Sequence, residues 1–228
     1  MAELSEATVQ RHAQVFLERY YRRVSRGRRF FSQIEVTTKS RYGSKRADGL
    51  LVFRRWLSGT YVVSMEAKSR KTLRAIRPET DWRRWLRNCG LLAASTAAII
   101  TLFSHFFYPL SGALQWLFPL NFGLLLGLLY GLISRSSYRH QMVRVVNQIG
   151  QYPANEQWLA FSDDSYRSLS EESRSALLEI CRYRGIGVLL VRRGGRIEVV
   201  RKPLRTFKFW KDYLVYYQKE GEIRRALS

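Results

Sequence analysis

Two short apolar runs carry charged residues at their ends. Asp48 precedes the run Leu50 to Trp56, and Glu66-Ala67-Lys68 closes the run that begins at Thr60. Two carboxylates are hard oxygen ligands for a Mg²⁺ or Mn²⁺ ion that keeps several of its waters. Such an ion acidifies a bound water and offsets charge on a phosphate, while an adjacent ammonium positions the nucleophile or stabilises a pentavalent transition state. The chemistry that suits Asp48, Glu66 and Lys68 is therefore phosphodiester hydrolysis, with Asp48 and Glu66 as the metal ligands. Glu35, on the preceding strand-like run, is a candidate third carboxylate.

This chemistry requires the three side chains to share a face. The connection Leu57-Ser58-Gly59 reads as a three-residue hairpin loop with glycine in the left-handed position. That loop pairs Trp56 with Thr60, and counting outward sets Leu50 opposite Glu66 and Asp48 opposite Lys68. Opposed residues share a face and side chains alternate along a strand, so Asp48, Glu66 and Lys68 project to one side. A two-residue loop would turn Asp48 away. A competing reading makes Asp48-Gly49 a hairpin turn of its own.

Around this hairpin, Glu6 to Arg23 places Val9, Ala13, Phe16, Leu17, Tyr20 and Tyr21 on one face of an amphipathic helix. Phe30 to Val36 has a strand pattern, and Ser40 to Lys45 a turn-rich basic one. Further on, Tyr138 to Gln148 reads as a helix with Met142, Val145, Val146 and Ile149 inward, and Trp158 to Phe161 as a buried strand. Ser168 or Ser170 caps a helix that runs through Tyr183 and stops at Gly185. Ile186 to Val191 and Arg196 to Val200 form strands paired across Gly194-Gly195. The segment 204–228 is basic and aromatic, ends in a helix and suggests no role. Cys89 and Cys181 form no disulfide framework, and His12, His105 and His140 are too scattered for a zinc site.

Between these parts, Asn88 to Ser134 has no Lys, Arg, Asp or Glu, although the chain carries a net charge of +21. The run is about twice the ~20 residues that one membrane-spanning helix needs, so it reads as two spans. These are Cys89 to Tyr108 and Ala113 to Ile133, turned by Pro109, Ser111 and Gly112. Arg83, Arg84 and Arg87 precede the first span, and Arg135, Arg139 and Arg144 follow the second. The asymmetry puts both flanks, and hence both termini, on the cytoplasmic side of an inner membrane. The acidic start, Met1 to Glu6, lacks the apolar stretch of a signal peptide. Gly123, Gly127 and Gly131 recur every four residues, a helix-packing stripe within the hairpin or between subunits of a homo-oligomer.

The chain thus divides into a first soluble part (1–82), a transmembrane hairpin (83–137), a second soluble part (138–203) and a C-terminal extension (204–228). The basic excess outside the spans attracts polyanions, either DNA or anionic membrane lipids. Lys39, Arg41, Lys45, Arg46, Arg70 and Lys71 are candidate contacts for a nucleic-acid backbone.

The segments Arg46-Ala47-Asp48-Gly49-Leu50-Leu51-Val52-Phe53 and Ser64-Met65-Glu66-Ala67-Lys68 resemble the core of the PD-(D/E)xK nuclease superfamily, the restriction-endonuclease-like fold. In that family an Asp begins the second strand and Glu-x-Lys ends the third, although here no Pro precedes Asp48. The resemblance covers about residues 5 to 80 and 138 to 201, with the hairpin inserted between the third strand and the next helix. It implies an α/β fold with a mixed sheet flanked by helices, a Mg²⁺-dependent endonuclease activity on DNA and a part in defence against foreign DNA. It also implies accessory roles for Gln148, Gln151 and Tyr152 in or after the following helix. The alternatives are a catalytically inactive membrane module that binds nucleic acid or lipid, and an effector whose spans perturb the membrane.

Overall fold

The computed structural model describes residues 3–25, 29–40, 43–55, 59–107, 112–135, 137, 140–204 and 211–228. They form two compact units. Met1–Pro78 with Val143–Ser228 makes one, and Glu79–Met142 the other.

The first unit opens with α1 (Glu6–Ser25), whose Val9, Ala13, Leu17 and Tyr21 recur every four residues and are buried against one face of a sheet. Three antiparallel strands follow: β1 (Phe30–Thr37), β2 (Arg46–Arg55) and β3 (Gly59–Lys68). A short helix, α2 (Leu73–Ile76), ends this half. The chain returns through α5 (Arg144–Ile149) to β6 (Glu156–Ser162), then α6 (Asp163–Arg167), α7 (Glu171–Arg184), β7 (Gly187–Val191) and β8 (Ile197–Arg201). The six strands lie in the order β1-β2-β3-β6-β7-β8, parallel from β3 to β7 and antiparallel outside that. It is a mixed α/β sheet flanked by helices. β3 is central, and every residue from Tyr61 to Lys68 is buried.

The face opposite α1 has two layers. Over β6 and β7, α5 and α7 bury Val146, Ile149, Leu177 and Ile180 against Leu159, Phe161, Val188 and Leu190. Over the β1–β3 end, the C-terminal segment lays Tyr213, Leu214, Tyr217 and, from α8 (Glu220–Leu227), Ile223 and Leu227 on Val36, Leu50, Val52 and Val62. The extension without a sequence-derived role is therefore part of the core. It is tied by backbone bonds from Lys39 to Tyr216 and from Gln218 to Thr37.

The hairpin register differs from expectation. Arg55 pairs with Gly59, Phe53 with Tyr61 and Leu50 with Ser64. The ladder is thus offset by two residues from the one that sets Trp56 against Thr60. The observed register sets the Phe53 and Tyr61 rings 5.1 Å apart, tilted at 35°, in the core under α1. Because the offset is even, every side chain keeps its face. Asp48 and Gly49 lie within β2, which excludes a turn there, while Trp56, Leu57 and Ser58 are outside the described residues. Gly59 has the expected left-handed backbone, φ 66°. At the other end of the chain's second half, Ser170 caps α7 by accepting the Ser173 N–H, and Gly185 ends it at φ 72°.

The second unit holds α3 (Trp82–Phe107) and α4 (Leu114–Ser134), closed by a two-stranded ribbon of β4 (Glu79–Thr80) and β5 (Gln141–Met142). The expected helix from Tyr138 to Gln148 is thus shorter. Gln141 and Met142 are drawn into the ribbon, and α5 begins only at Arg144. Asp81 caps α3 by accepting the Arg84 N–H at 3.1 Å. Both helices are long and apolar enough to cross a membrane, and their outward residues, such as Leu132 and Ile133, are 73% and 80% exposed. Gly123, Gly127 and Gly131 are buried, and they face α3 of the same hairpin. A Cβ on Gly123 would stand 2.5 Å from the Ala93 carbonyl, and one on Gly127 3.0 Å from both the Cys89 carbonyl and Ala93 Cβ. The Trp85 indole donates to the Gly131 carbonyl at 3.0 Å. His105 and Gln115 meet across the hairpin at 3.4 Å, whereas Asn121 bonds its own helix at Leu117. Of the expected turn, only Gly112 lies among the described residues, with φ 58°.

Candidate active site

Asp48, Glu66 and Lys68 come together where β2 begins and β3 ends, on the α5 side of the sheet. Lys68 Nζ donates to Glu66 Oε1 at 2.8 Å, and the two side chains are 9% and 1% exposed. Asp48 is held across the strands, its Oδ2 accepting the Ala67 N–H at 2.8 Å. From α5, Gln148 Nε2 donates to the same Glu66 Oε1 at 2.6 Å. Tyr152 follows one turn later. Its hydroxyl accepts from Gln148 at 3.1 Å and donates to the Arg46 carbonyl at 2.7 Å, tying α5 to the start of β2 two residues before Asp48.

The electrostatics of the set follow from its burial. Burial pushes the Glu66 carboxyl up to about 7, and the negative Asp48 adds to this against the opposing pull of Lys68. Asp48 is raised by burial too, with the Ala67 N–H and Lys68 working the other way. Burial alone would depress Lys68, yet Glu66, Asp48 and Glu6 together lift it above its ordinary value. Lys68 is therefore an ammonium at neutral pH. Two carboxyls that resist ionisation beside a single ammonium form a site with room for one more positive charge.

Glu66 Oε2 is buried and accepts no hydrogen bond from the described residues. A buried carboxylate oxygen without a donor is costly, and a hard cation between Glu66 and Asp48 would satisfy it. The residues present thus fit a divalent ion of the Mg²⁺ class, which takes one or two carboxylates and keeps its remaining waters. Among the described residues, no group of three His, Cys, Asp or Glu is arranged around one metal position.

One member of the site escaped the sequence reading. Glu6, in the first turn of α1, accepts from Lys68 Nζ at 3.3 Å through Oε1 and from the Thr72 hydroxyl at 3.0 Å through Oε2. The visible signal was only an acidic first turn, which helix capping explains equally well. Other expected residues lie elsewhere. Glu35 occupies a left-handed backbone, φ 55°, at a break in the β1–β2 ladder, and its carboxylate pairs with Arg46 at 3.8 Å. Gln151 is exposed and lines a separate cleft.

Of the candidate backbone contacts, Lys39 is bound to Glu220 at 2.6 Å and Arg70 to Glu3 at 2.7 Å. Lys45, Arg46 and Lys71 are exposed, and Arg41 lies outside the described residues. No family model, curated protein or solved structure matches this chain. What the site does therefore has to be argued from its own geometry.

Proposed function

We propose that this chain is a membrane-anchored, metal-dependent nuclease that hydrolyses phosphodiester bonds in DNA. The observation that carries the reading is the set of half-buried Asp48 and buried Glu66 and Lys68 around a carboxylate oxygen to which no described residue donates, in a strongly basic chain. Asp48 and Glu66 would hold Mg²⁺ or Mn²⁺, which when bound supplies an acidified water and offsets phosphate charge. Lys68, kept protonated by its acidic neighbours, stabilises negative charge developing on the phosphate and does not serve as a base. Gln148 fixes the Glu66 carboxylate in one rotamer, and Tyr152 acts behind it as a positioning residue. Exposed Lys45, Arg46 and Lys71 attract the polyanion.

A restriction-endonuclease-like assignment is supported by the order of elements: a helix, three antiparallel strands, then α5, β6, α7 and β7. The apolar hairpin enters between β3 and α5. The arginines on both its flanks favour an inner-membrane anchor with the soluble unit on the cytoplasmic side.

The test is cleavage of plasmid and single-stranded DNA by detergent-purified protein in Mg²⁺ or Mn²⁺, with EDTA and an Asp48→Ala/Lys68→Ala variant as controls. Metal-dependent cutting that the variant lacks is the expected result. Equal DNA binding by both proteins with no cutting under either metal would reject the nuclease and leave a tethering module.

A further inference from the structure

A cleft of about 550 Å³ opens between the segment after α5, the end of α7 and the C-terminal extension. Its walls carry Tyr152, Tyr183, Tyr213 and Tyr216 together with Arg184 and Lys211. A second hollow, of about 310 Å³, shares Gly150, Gln151, Gln157 and Arg184 with it, so the depression continues past the arginine. No carboxylate stands among the described lining residues of either hollow. Lys211 Nζ lies 5.5 Å and 5.8 Å from the ring centres of Tyr213 and Tyr216, whose rings are tilted at 39° with centres 6.5 Å apart. The Gln157 side chain is fixed, its amide donating to the carbonyls of Ile149 and Tyr152 at 2.7 and 2.8 Å. With both hydrogens used, its Oε1 is what it can offer a ligand. Tyr217 secures the same wall by donating to the Pro153 carbonyl at 2.9 Å.

Aromatic rings, amide edges and two cations without an acid suit a ligand that is planar, has donors and acceptors at its rim and carries negative charge. An apolar ligand would leave the amides and cations unmatched, and a bare phosphate would leave the rings unused. We propose that this cleft binds one nucleotide, its base against the exposed Tyr183 and half-buried Tyr216 and its phosphate near Lys211 and Arg184. The chemistry is the same for a nucleotide of a strand and for a free mononucleotide. Tyr152 lines the cleft, and its hydroxyl accepts from Gln148, the residue that holds Glu66. That the occupant belongs to the substrate strand rests on the nuclease reading, whereas the cleft itself does not.

The test uses the full chain in detergent with EDTA, so that binding is read without cleavage. Equilibrium dialysis with dAMP and inorganic phosphate is set beside anisotropy of a labelled single-stranded oligonucleotide. Tyr183 is 60% exposed, so Tyr183→Ala is made without disturbing the core. Tyr183→Ala and Lys211→Ala should each weaken dAMP binding about fivefold or more, and Tyr183→Phe should restore it. If the oligonucleotide weakens in parallel, the cleft holds part of a strand. If only dAMP weakens, its ligand is a free nucleotide. No saturable dAMP binding, binding no tighter than that of phosphate, or indifference to both substitutions would overturn the proposal. Failure of the nuclease reading would appear separately, as absence of metal-dependent cutting in the unmodified protein.

Discussion

Replacing Glu66 with glutamine should stabilise the protein at neutral and alkaline pH. An ordinary glutamate ionises near 4.5, and burial beside Asp48 raises Glu66 to about 7. Between those values the folded chain holds a proton that the unfolded chain has released, so stability falls as pH rises through this window and levels off above it. The full shift corresponds to about 3 kcal/mol. Glutamine imitates the protonated acid and keeps an acceptor for Lys68 and Gln148. The advantage of Glu66→Gln over the unmodified chain should therefore grow between pH 4.5 and 8 by that amount, or roughly 6–12 °C in Tm for a unit of this size. Thermal unfolding in detergent, followed by fluorescence of the fully buried Trp158, measures it in buffers without metal. Adding Mg²⁺ at pH 8 should raise the Tm of the unmodified chain and leave the variant unmoved. A Tm difference that stays constant from pH 5 to 8 would refute the electrostatic account, and equal Mg²⁺ effects would refute the assigned ligand.

Three further outcomes follow from the same geometry. Lys68→Ala should abolish cleavage, lowering kcat on the order of 10²-fold or more, and should destabilise the fold at pH 8 by several kcal/mol because Glu66 is left buried and charged, as single-turnover rates and melting will show. Tyr152→Phe removes the bond to the Arg46 carbonyl and should cost about 1 kcal/mol, lowering kcat more than it changes KM, because Asp48 loses its brace and no substrate contact is lost. Gly127→Leu drives atoms into the Cys89 carbonyl and Ala93, so the α3–α4 pair should loosen by about 1–3 kcal/mol in a detergent-unfolding assay. Metal-dependent cutting by the first unit should persist in that variant.

The elements were legible where local pattern and tertiary burial agree. The four-residue stripe of α1, the Ser170 cap and Gly185 stop of α7 and the uncharged run of the hairpin each specify a structure without help from distant parts. The face shared by Asp48, Glu66 and Lys68 was legible because side-chain alternation depends only on the parity of the register. The register itself was not, because it packs Phe53 against Tyr61 beneath α1 and no local turn rule contains that contact. Glu6 was missed for the same reason: about sixty residues separate it from Lys68, and only the packing of α1 brings them together. Met142 followed the helical period of its neighbours, yet pairing with Glu79 took it into a strand. The C-terminal segment suggested no role because its buried Tyr213, Leu214 and Tyr217 lie among basic and aromatic neighbours whose part appears only against the sheet.

The interruption of the first unit between Pro78 and Val143 also sets an order of events during synthesis. By the time Lys68 has left the ribosome, Asp48, Glu66 and Lys68 all exist, but the β3 edge that β6 will cover is still bare and Gln148 has not been made. Both apolar helices must emerge before β6 can dock, and in a chain whose hairpin inserts as it is translated, the membrane is reached first. On the proposed anchoring, the site would be completed only on protein already tethered, and an unanchored nascent chain would carry its charged residues without the frame that would let them work together. An anchor placed inside the domain, as proposed for this hairpin, would make location a precondition of assembly, an arrangement that a terminal anchor would not impose.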